Sequence, residues 1–529
     1  MRAPSAAPPY EFAPDEQPLF PGSPYSPRHP AWRRVGYGLV AVLMALAATL
    51  GNALVSVNIP NLSGALGVYQ VQASLLPAAY VAMNACANLL LIKARQQFGI
   101  PAVAHSLLAA YAAAGLLQFF VHGFGAALLI RAVSGMTAAG LTTMTIYNML
   151  QTVPAPKRPL ALVTGISLGQ FGTPLARLFP VEMLALSHWQ GLHLIEVGLA
   201  LAALAALIAL PLPPSNKSPA FERMDFVTIA LVVPAMALFC GVLGVGRLVW
   251  WTDAPAIGLA LAVAVPLFVA ALVVEHNRAR PLLQTKWIGT RDIARFVIVA
   301  VLVRLALAEQ TYGSVGLLTS TGLTNEQLRT LFVWVVIGQA LGLATTLSLL
   351  TPQRIPYLLM GATIAIALGA WMDTHSTNVT RPHQLILSQA LIGYGTMLFI
   401  GPALAYGFLR MLEKGPGHLV TFIVLFSTTQ NIGGLAGSAL LGSYQVISTR
   451  GHALALAERV LPSDPQAFAQ LQNGGALVRA ALAREASILA FNDVFRLVLA
   501  IALLTLGYLV YIRTYNIIRQ RRGLAQAPT

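Results

Sequence analysis

Charge is scarce in this 529-residue chain: Asp, Glu, Lys and Arg together make up 10% of it, against about 25% in soluble domains. A chain so poor in charge, 57% hydrophobic and with a mean hydropathy of +0.70, excludes an ordinary soluble enzyme and implies a polytopic membrane protein. Cysteine is nearly absent. The two present, Cys86 and Cys240, lie in separate apolar runs, so neither a disulfide framework nor a metal site follows from them; they read as inert core thiols. Acids are scarcer still than bases, 18 against 33, giving a net charge of +15 and a pI near 10.2. That excess does not point to nucleic acid, because the bases stand in small groups between apolar runs, the pattern of topology signals. No HExxH, Walker loop or dinucleotide fingerprint occurs in a suitable context, so neither a metal nor a cofactor is expected and an ATP-driven pump is excluded for this chain. Gly165-Ile-Ser167-Leu-Gly169 matches the G-x-S-x-G elbow in letters, but it sits inside an apolar span where that motif needs a strand, a turn and a helix. Enzyme activity is not expected.

What is present is a series of apolar runs. At about 20 residues per span, fourteen are found, near 36–58, 73–94, 102–121, 124–147, 160–183, 190–211, 226–246, 255–274, 293–315, 328–350, 356–372, 384–408, 418–443 and 486–512. An even number puts both termini on one side. With the N-terminus inside, about 22 Lys and Arg fall on the inner side and about 7 outside, as the positive-inside rule asks. The expected setting is a cell (inner) membrane with both termini cytoplasmic. Residues 1–35, rich in proline, read as a disordered cytoplasmic tail, and the first span is too long for a signal-peptide core. The long outer loop 444–485 carries two amphipathic helical runs, HALALAERVL and ALVRAALARE.

An internal repeat divides the rest. Arg131-Ala-Val-Ser-Gly135 is echoed by Gln389-Ala-Leu-Ile-Gly393 at an offset of 258, and Gln170 by Gln430 at 260. The same offset lays the first span on the ninth, with Asn52 on Gln310. The chain then parses as an N-terminal six-helix half (36–211), an inserted helix pair with its loops (212–292), a C-terminal six-helix half (293–513) and a cytoplasmic tail (514–529). Paired halves around a central site are the build of secondary transporters.

Charges inside these spans are costly, about 2.5–3.5 kcal/mol each at the bilayer centre on insertion scales, and so mark a pathway or a partner. The embedded ones are Arg131, Arg177, Glu196, Arg304 and Glu309, with Glu182 and Asp493 nearer edges. Counted at 1.5 Å per residue, Arg131, Arg177, Glu196 and Glu309 lie roughly 8–11 Å deep, consistent with one layer in the outer half of a cavity. Arg304 lies nearer the middle. Arg304 and Glu309 are five residues apart, about 140° around a helix, so each needs a partner from another span. Asn52, Asn84, Gln170, Gln310, Gln389, Gln430 and Asn431 supply neutral polar groups for helix contacts or cavity lining.

These residues carry a resemblance. Arg131 with Gly135, Gly165-x3-Gly169-x2-Gly172-x-Pro174, His188-Trp189-Gln190-Gly191-Leu192, Gly246-Arg247, Gln430-Asn431-Ile-Gly433-Gly434 and Asn492-Asp493 resemble, in order and spacing, the fourteen-spanner drug:proton antiporter family of the major facilitator superfamily. The resemblance implies an all-α integral membrane protein of major-facilitator-like fold, with two six-helix halves and an inserted pair. It also implies proton-coupled efflux by alternating access. In a Gram-negative source it further implies a periplasmic adaptor and an outer-membrane channel as partners. The chain departs from the family in four places. The loop Leu89 to Gly99 lacks the family's Asp, Gly51 and Asn52 stand where the first helix carries an acid, Arg177 replaces a glycine, and Glu196 stands where the sixth helix often has Asn.

The expected function is therefore secondary active transport, with protons and a small amphiphile as the transported species and the lipid bilayer as solvent. Three cations against two acids in the charged layer favour weak organic acids, aromatic acids or zwitterions over lipophilic cations. The alternatives are an uncoupled facilitator, or a non-transporting scaffold or sensor that keeps the fold.

Overall fold

The computed structural model of the chain describes residues 12–19, 22–117, 119–120, 123–179, 189–460 and 475–521, with isolated positions 465, 469 and 472. The described residues hold helices and one isolated bridge, Pro24 to Ser215. Eleven of the helices are long and apolar enough to cross a membrane, which makes this a multi-pass membrane protein.

The helices that matter here are numbered in chain order. The first group is α1 Ala31–Val57, α2 Leu75–Phe98, α3 Ile100–Leu117, α4 Phe124–Leu150, α5 Arg158–Leu168, α6 Gly172–Ala176 and α7 Trp189–Ala209. An apolar pair follows, α8 Arg223–Val249 and α9 Pro255–Asn277. The last group is α10 Arg291–Leu307, α11 Ser314–Ser320, α12 Arg329–Leu349, α13 Ile355–Asp373, α14 Ile386–Lys414, α15 Leu419–Ala457 and α16 Ala476–Arg521.

Two of the expected spans are broken, each for a local reason. Residues 160–183 begin as α5, pass through a 3-10 turn at Gly169–Phe171 and resume as α6. Pro174 has no N–H, so the carbonyl of Gln170 has no helical donor from it; the Gln339 side chain donates to that carbonyl at 3.5 Å. Residues 293–315 run as α10, a π turn at Glu309–Gly313, and α11. Residues 190–211 fall on α7, Trp189–Ala209, a single helix of 21 residues.

Packing repeats between the two groups. α4 packs on α2 as α14 packs on α12, α3 on α7 as α13 on α16, and α1 on α6 as α10 on α15. The groups meet where α2 lies on α15 and α5 lies on α14. α8 lies against α2 and α15 together, with α9 packed on its far side and largely exposed. Charges fix the end of this pair. Lys93 Nζ lies 2.6 Å from Asp225, and Arg278 binds Asp225, Glu222 and Glu275 at 2.8, 3.0 and 2.7 Å.

The tail is the first correction. Residues 1–11, 20 and 21 lie outside the described residues, but residues 12–19 and 22–30 are seated rather than disordered. Arg158 donates to the carbonyls of Asp15 and Gln17 at 2.6 and 3.1 Å, Gln151 donates to the Tyr25 carbonyl at 3.1 Å, and Leu19 packs against the apolar cores of both groups. The proline-rich composition hid this, because the anchors are main-chain carbonyls that any sequence offers.

Candidate functional site

A cavity of 540 Å³ lies between the two groups, walled by α1, α2, α4, α5, α8, α10, α14 and α15. Its size suits a small organic molecule. Among the described residues, its charged lining consists of three arginines, Arg177, Arg247 and Arg304, and includes no acid.

Each arginine is held by neutral groups. Arg177, on the turn after α6, bonds the Asn325 side-chain oxygen across to the other group, with its guanidinium 5.2 Å from the Phe332 ring centroid. Arg304 Nε donates to the Gln430 carbonyl at 2.9 Å. Arg247, in the last turn of α8, lies 5.0 Å from the ring of Tyr312. Each of these cations sits in a low-dielectric wall without a bound carboxylate among the described residues. Beside them, both side-chain atoms of Gln430 and the Oδ1 of Asn52 are buried and make no hydrogen bond to the protein. Asn84, Gln170 and Asn431 also line the cavity. Asn431 donates to Asn84 Oδ1 at 2.9 Å, which joins α15 to α2.

The expected single layer is not formed. Arg131 and Glu196 lie behind the cavity wall as a two-toothed pair, NH1 to Oε1 at 2.9 Å and NH2 to Oε2 at 2.6 Å, with both residues 2% exposed or less. Gly51 explains how they meet. A Cβ on Gly51 would stand 2.8 Å from Glu196 Cδ and 2.9 Å from the Tyr111 hydroxyl, so only a residue without a side chain admits the carboxylate there. The carboxylate carried by α7 thus occupies the space beside α1 that a side chain at residue 51 would fill. Gly135, one turn after Arg131, allows α4 to touch the main chain of α2. A Cβ there would stand 2.9 Å from the Tyr80 carbonyl carbon.

Glu309 is also behind the wall, in the other group. Gln389 Nε2 reaches Glu309 Oε1 at 3.0 Å and Asp373 Oδ2 at 2.8 Å. The Gln310 side chain donates to the Gln389 carbonyl at 3.1 Å. Arg304 and Glu309 do not pair, as their spacing predicts. Gly172 and Pro174 shape the α5–α6 break and lie outside the cavity lining, Gly172 packing against Thr49. Glu182 and His188 fall outside the described residues. Asp493 bonds His452 and Arg496 at 2.7 and 2.9 Å, away from the cavity.

Sequence reasoning missed three site residues. Arg247 was visible only as part of a family likeness in the inserted pair, Asp373 falls one residue beyond the predicted span 356–372, and Asn325 sits in a loop with no periodic signal.

No family model matches the sequence, and no curated protein matches it. Solved structures do. The chain is similar to the human organic anion transporter MFSD10 (TETRAN), with TM-score 0.52 and 13% identity over 90% of this chain and all of that one. It is similar to the peptide transporter POT in complex with sulfate, with TM-score 0.56 and 12% identity over 91% of this chain and 96% of the other. It is also similar to the POT family transporter PepTSo, with TM-score 0.52 and 13% identity over 92% and 99%. With these neighbours and its all-helical architecture, the chain has a major-facilitator-like fold.

Proposed function

We propose that the protein is a secondary active transporter that moves small organic anions, among them aromatic acids and anionic amphiphiles, by alternating access. The observation that carries this is the cavity lining, which among the described residues holds three arginines and no carboxylate. Such a wall attracts anions and repels lipophilic cations, and a carboxylate entering it gains charge-assisted bonds that the protein itself does not supply. The similarity to an organic anion transporter and to a transporter in complex with sulfate is a similarity of fold at 12–13% identity, so the substrate assignment rests on the arginines.

Exchange against protons is the coupling mode we infer, with export across the cell (inner) membrane and both termini cytoplasmic. Support comes from the family resemblance and from the carboxyl groups enclosed in each half. A periplasmic adaptor and outer-membrane channel belong to the same reading for a Gram-negative source. The assignment of 36–211 and 293–513 as the rocking halves, with 212–292 as an insertion, is supported by the repeated packing.

The test is uptake in proteoliposomes under an imposed pH gradient, comparing an aromatic carboxylate, its neutral amide and a lipophilic cation. Gradient-driven flux of the carboxylate that falls in Arg304→Ala is the expected result. Carboxylate flux indifferent to the gradient identifies a facilitator. Selective cation transport refutes the substrate class, and the absence of all flux from folded protein favours a scaffold.

A further inference from the structure

The pair of acids behind the cavity, Glu309 and Asp373, has no role in anion binding, yet its surroundings are unusual. Both residues are 1% exposed or less, and so is Gln389 between them. One amide nitrogen serves both, at 3.0 and 3.3 Å from the two oxygens of Glu309 and 2.8 Å from Asp373 Oδ2. No ion pair among the described residues includes either acid. The side chains packed against the π turn from α16, Phe491 and Phe495, carry no charge, and neither does Ala308 against α15. Asp373 on α13 is the charged group that faces Glu309, and Gln389 and Ser388 on α14 are neutral. The carbonyl oxygen of the Gln389 side chain is buried without a partner.

Two carboxylates this close in a dry site cannot both stay ionised, because each raises the cost of the other's charge and no cation offsets it. We infer that Glu309 and Asp373 together hold one exchangeable proton, and that this dyad is a proton-binding site separate from the anion cavity. In the bound state the proton lies on a carboxyl oxygen of one acid and Gln389 Nε2 steadies the other. On release the proton leaves to water admitted as the halves move to the opposite access state, and that hydration lets both acids ionise, with the two amide hydrogens of Gln389 divided between them. The pair titrates as a unit, so the proton belongs to neither residue alone.

Position links this site to the cavity. Glu309 opens the π turn, whose other side places Thr311 and Tyr312 in the cavity wall, with the Tyr312 ring beside Arg247. A π turn inside a helix is a local irregularity of the kind that accompanies functional sites. Anion contact at Arg247 and loss of the proton at Glu309 therefore act on the same five residues. Arg131 and Glu196 differ in kind, since that pair neutralises itself and needs no proton.

The coupling role rests on the proton-exchange reading above, whereas the bound proton does not. The test is infrared difference spectroscopy of the full chain in lipid at neutral pH, read at the carbonyl stretch of protonated carboxyl groups. Wild type and Glu196→Gln should show a deuterium-sensitive band that Glu309→Gln/Asp373→Asn lacks. In proteoliposomes the same double variant should keep substrate-for-substrate exchange and lose gradient-driven uptake by about tenfold or more. A band absent from wild type, or unchanged in the double variant, overturns the shared proton. Wild-type flux indifferent to the pH gradient, with the band behaving as stated, upholds the proton site and overturns the coupling. Both substitutions keep side-chain size, and monodisperse elution of the variant together with retained exchange establishes that it is folded.

Discussion

If Glu196 fills the place of a first-helix acid, the carboxylate should be movable back. Glu196→Ala removes two charge-assisted bonds and leaves Arg131 buried without its partner. Breaking a buried pair from one side costs about 3–5 kcal/mol. A Cβ on residue 51 would stand 2.8 Å from Glu196 Cδ, so the carboxyl of Gly51→Asp, one bond further on, falls where the Glu196 carboxylate now sits. In the Glu196→Ala background it should restore about 2–3 kcal/mol, the upper part of the coupling seen between contacting residues. Alone, with Glu196 present, Gly51→Asp should destabilise by about 1–3 kcal/mol through overpacking, with repulsion between two acids added. Thermal unfolding of purified protein in one detergent at one scan rate should therefore rank wild type first, the double variant next, and either single variant below it. A double variant no more stable than Glu196→Ala refutes the argument. So does a Glu196→Ala protein that unfolds with wild type.

Arg304→Ala and Arg247→Ala should each lower kcat/KM for an aromatic carboxylate by about 10- to 150-fold, the equivalent of one charge-assisted bond of about 1.5–3 kcal/mol. Uptake of the corresponding neutral amide should not change, and equal losses for both compounds would show a general defect. Gly135→Ala should cost about 1–3 kcal/mol by forcing α4 away from the Tyr80 main chain, read as a lower unfolding temperature. The docked tail should respond to pH. His29 lies 3.1 Å from Gln151, and burial, then Arg33, holds its pKa below the usual 6.5 against the opposing pull of Gln151 and Glu16. The free tail then takes up a proton before the docked one does, so docking is strongest above pH 6.5 and weakens as pH falls through that value. Spin labels on the tail and on α4 should report greater separation at low pH, and His29→Gln should remove the dependence.

Helices were legible because membrane spans declare themselves by length and apolarity, and among the described residues each of the fourteen runs overlaps helix. The interruptions were not. Gly169, Gly172 and Pro174 mark one break on paper, but the π turn at Glu309–Gly313 has no proline to announce it. The repeat was legible through Arg131 and Gln389, which occupy matching helices and both hold buried carboxyl groups, one by charge and the other by an amide.

Depth along a helix was read correctly as burial and incorrectly as convergence. A residue's distance from the end of its span says how far it lies from water, whereas its direction is set by neighbours that the sequence does not name. Arg131, Glu196 and Glu309 turn into their own bundles because Gly51 and Gln389 receive them there, and Arg177, Arg304 and Arg247 are left to face the cavity. The positive tilt inferred from the sequence thus has a different cause from the one the sequence suggests. The two acids counted against the arginines are each engaged elsewhere, and the third arginine comes from α8. The space at Gly51 and the carboxylate of Glu196 are likewise one feature seen from two helices. An absence at one position and an unexpected charge 145 residues later carry a single meaning once the helices are packed.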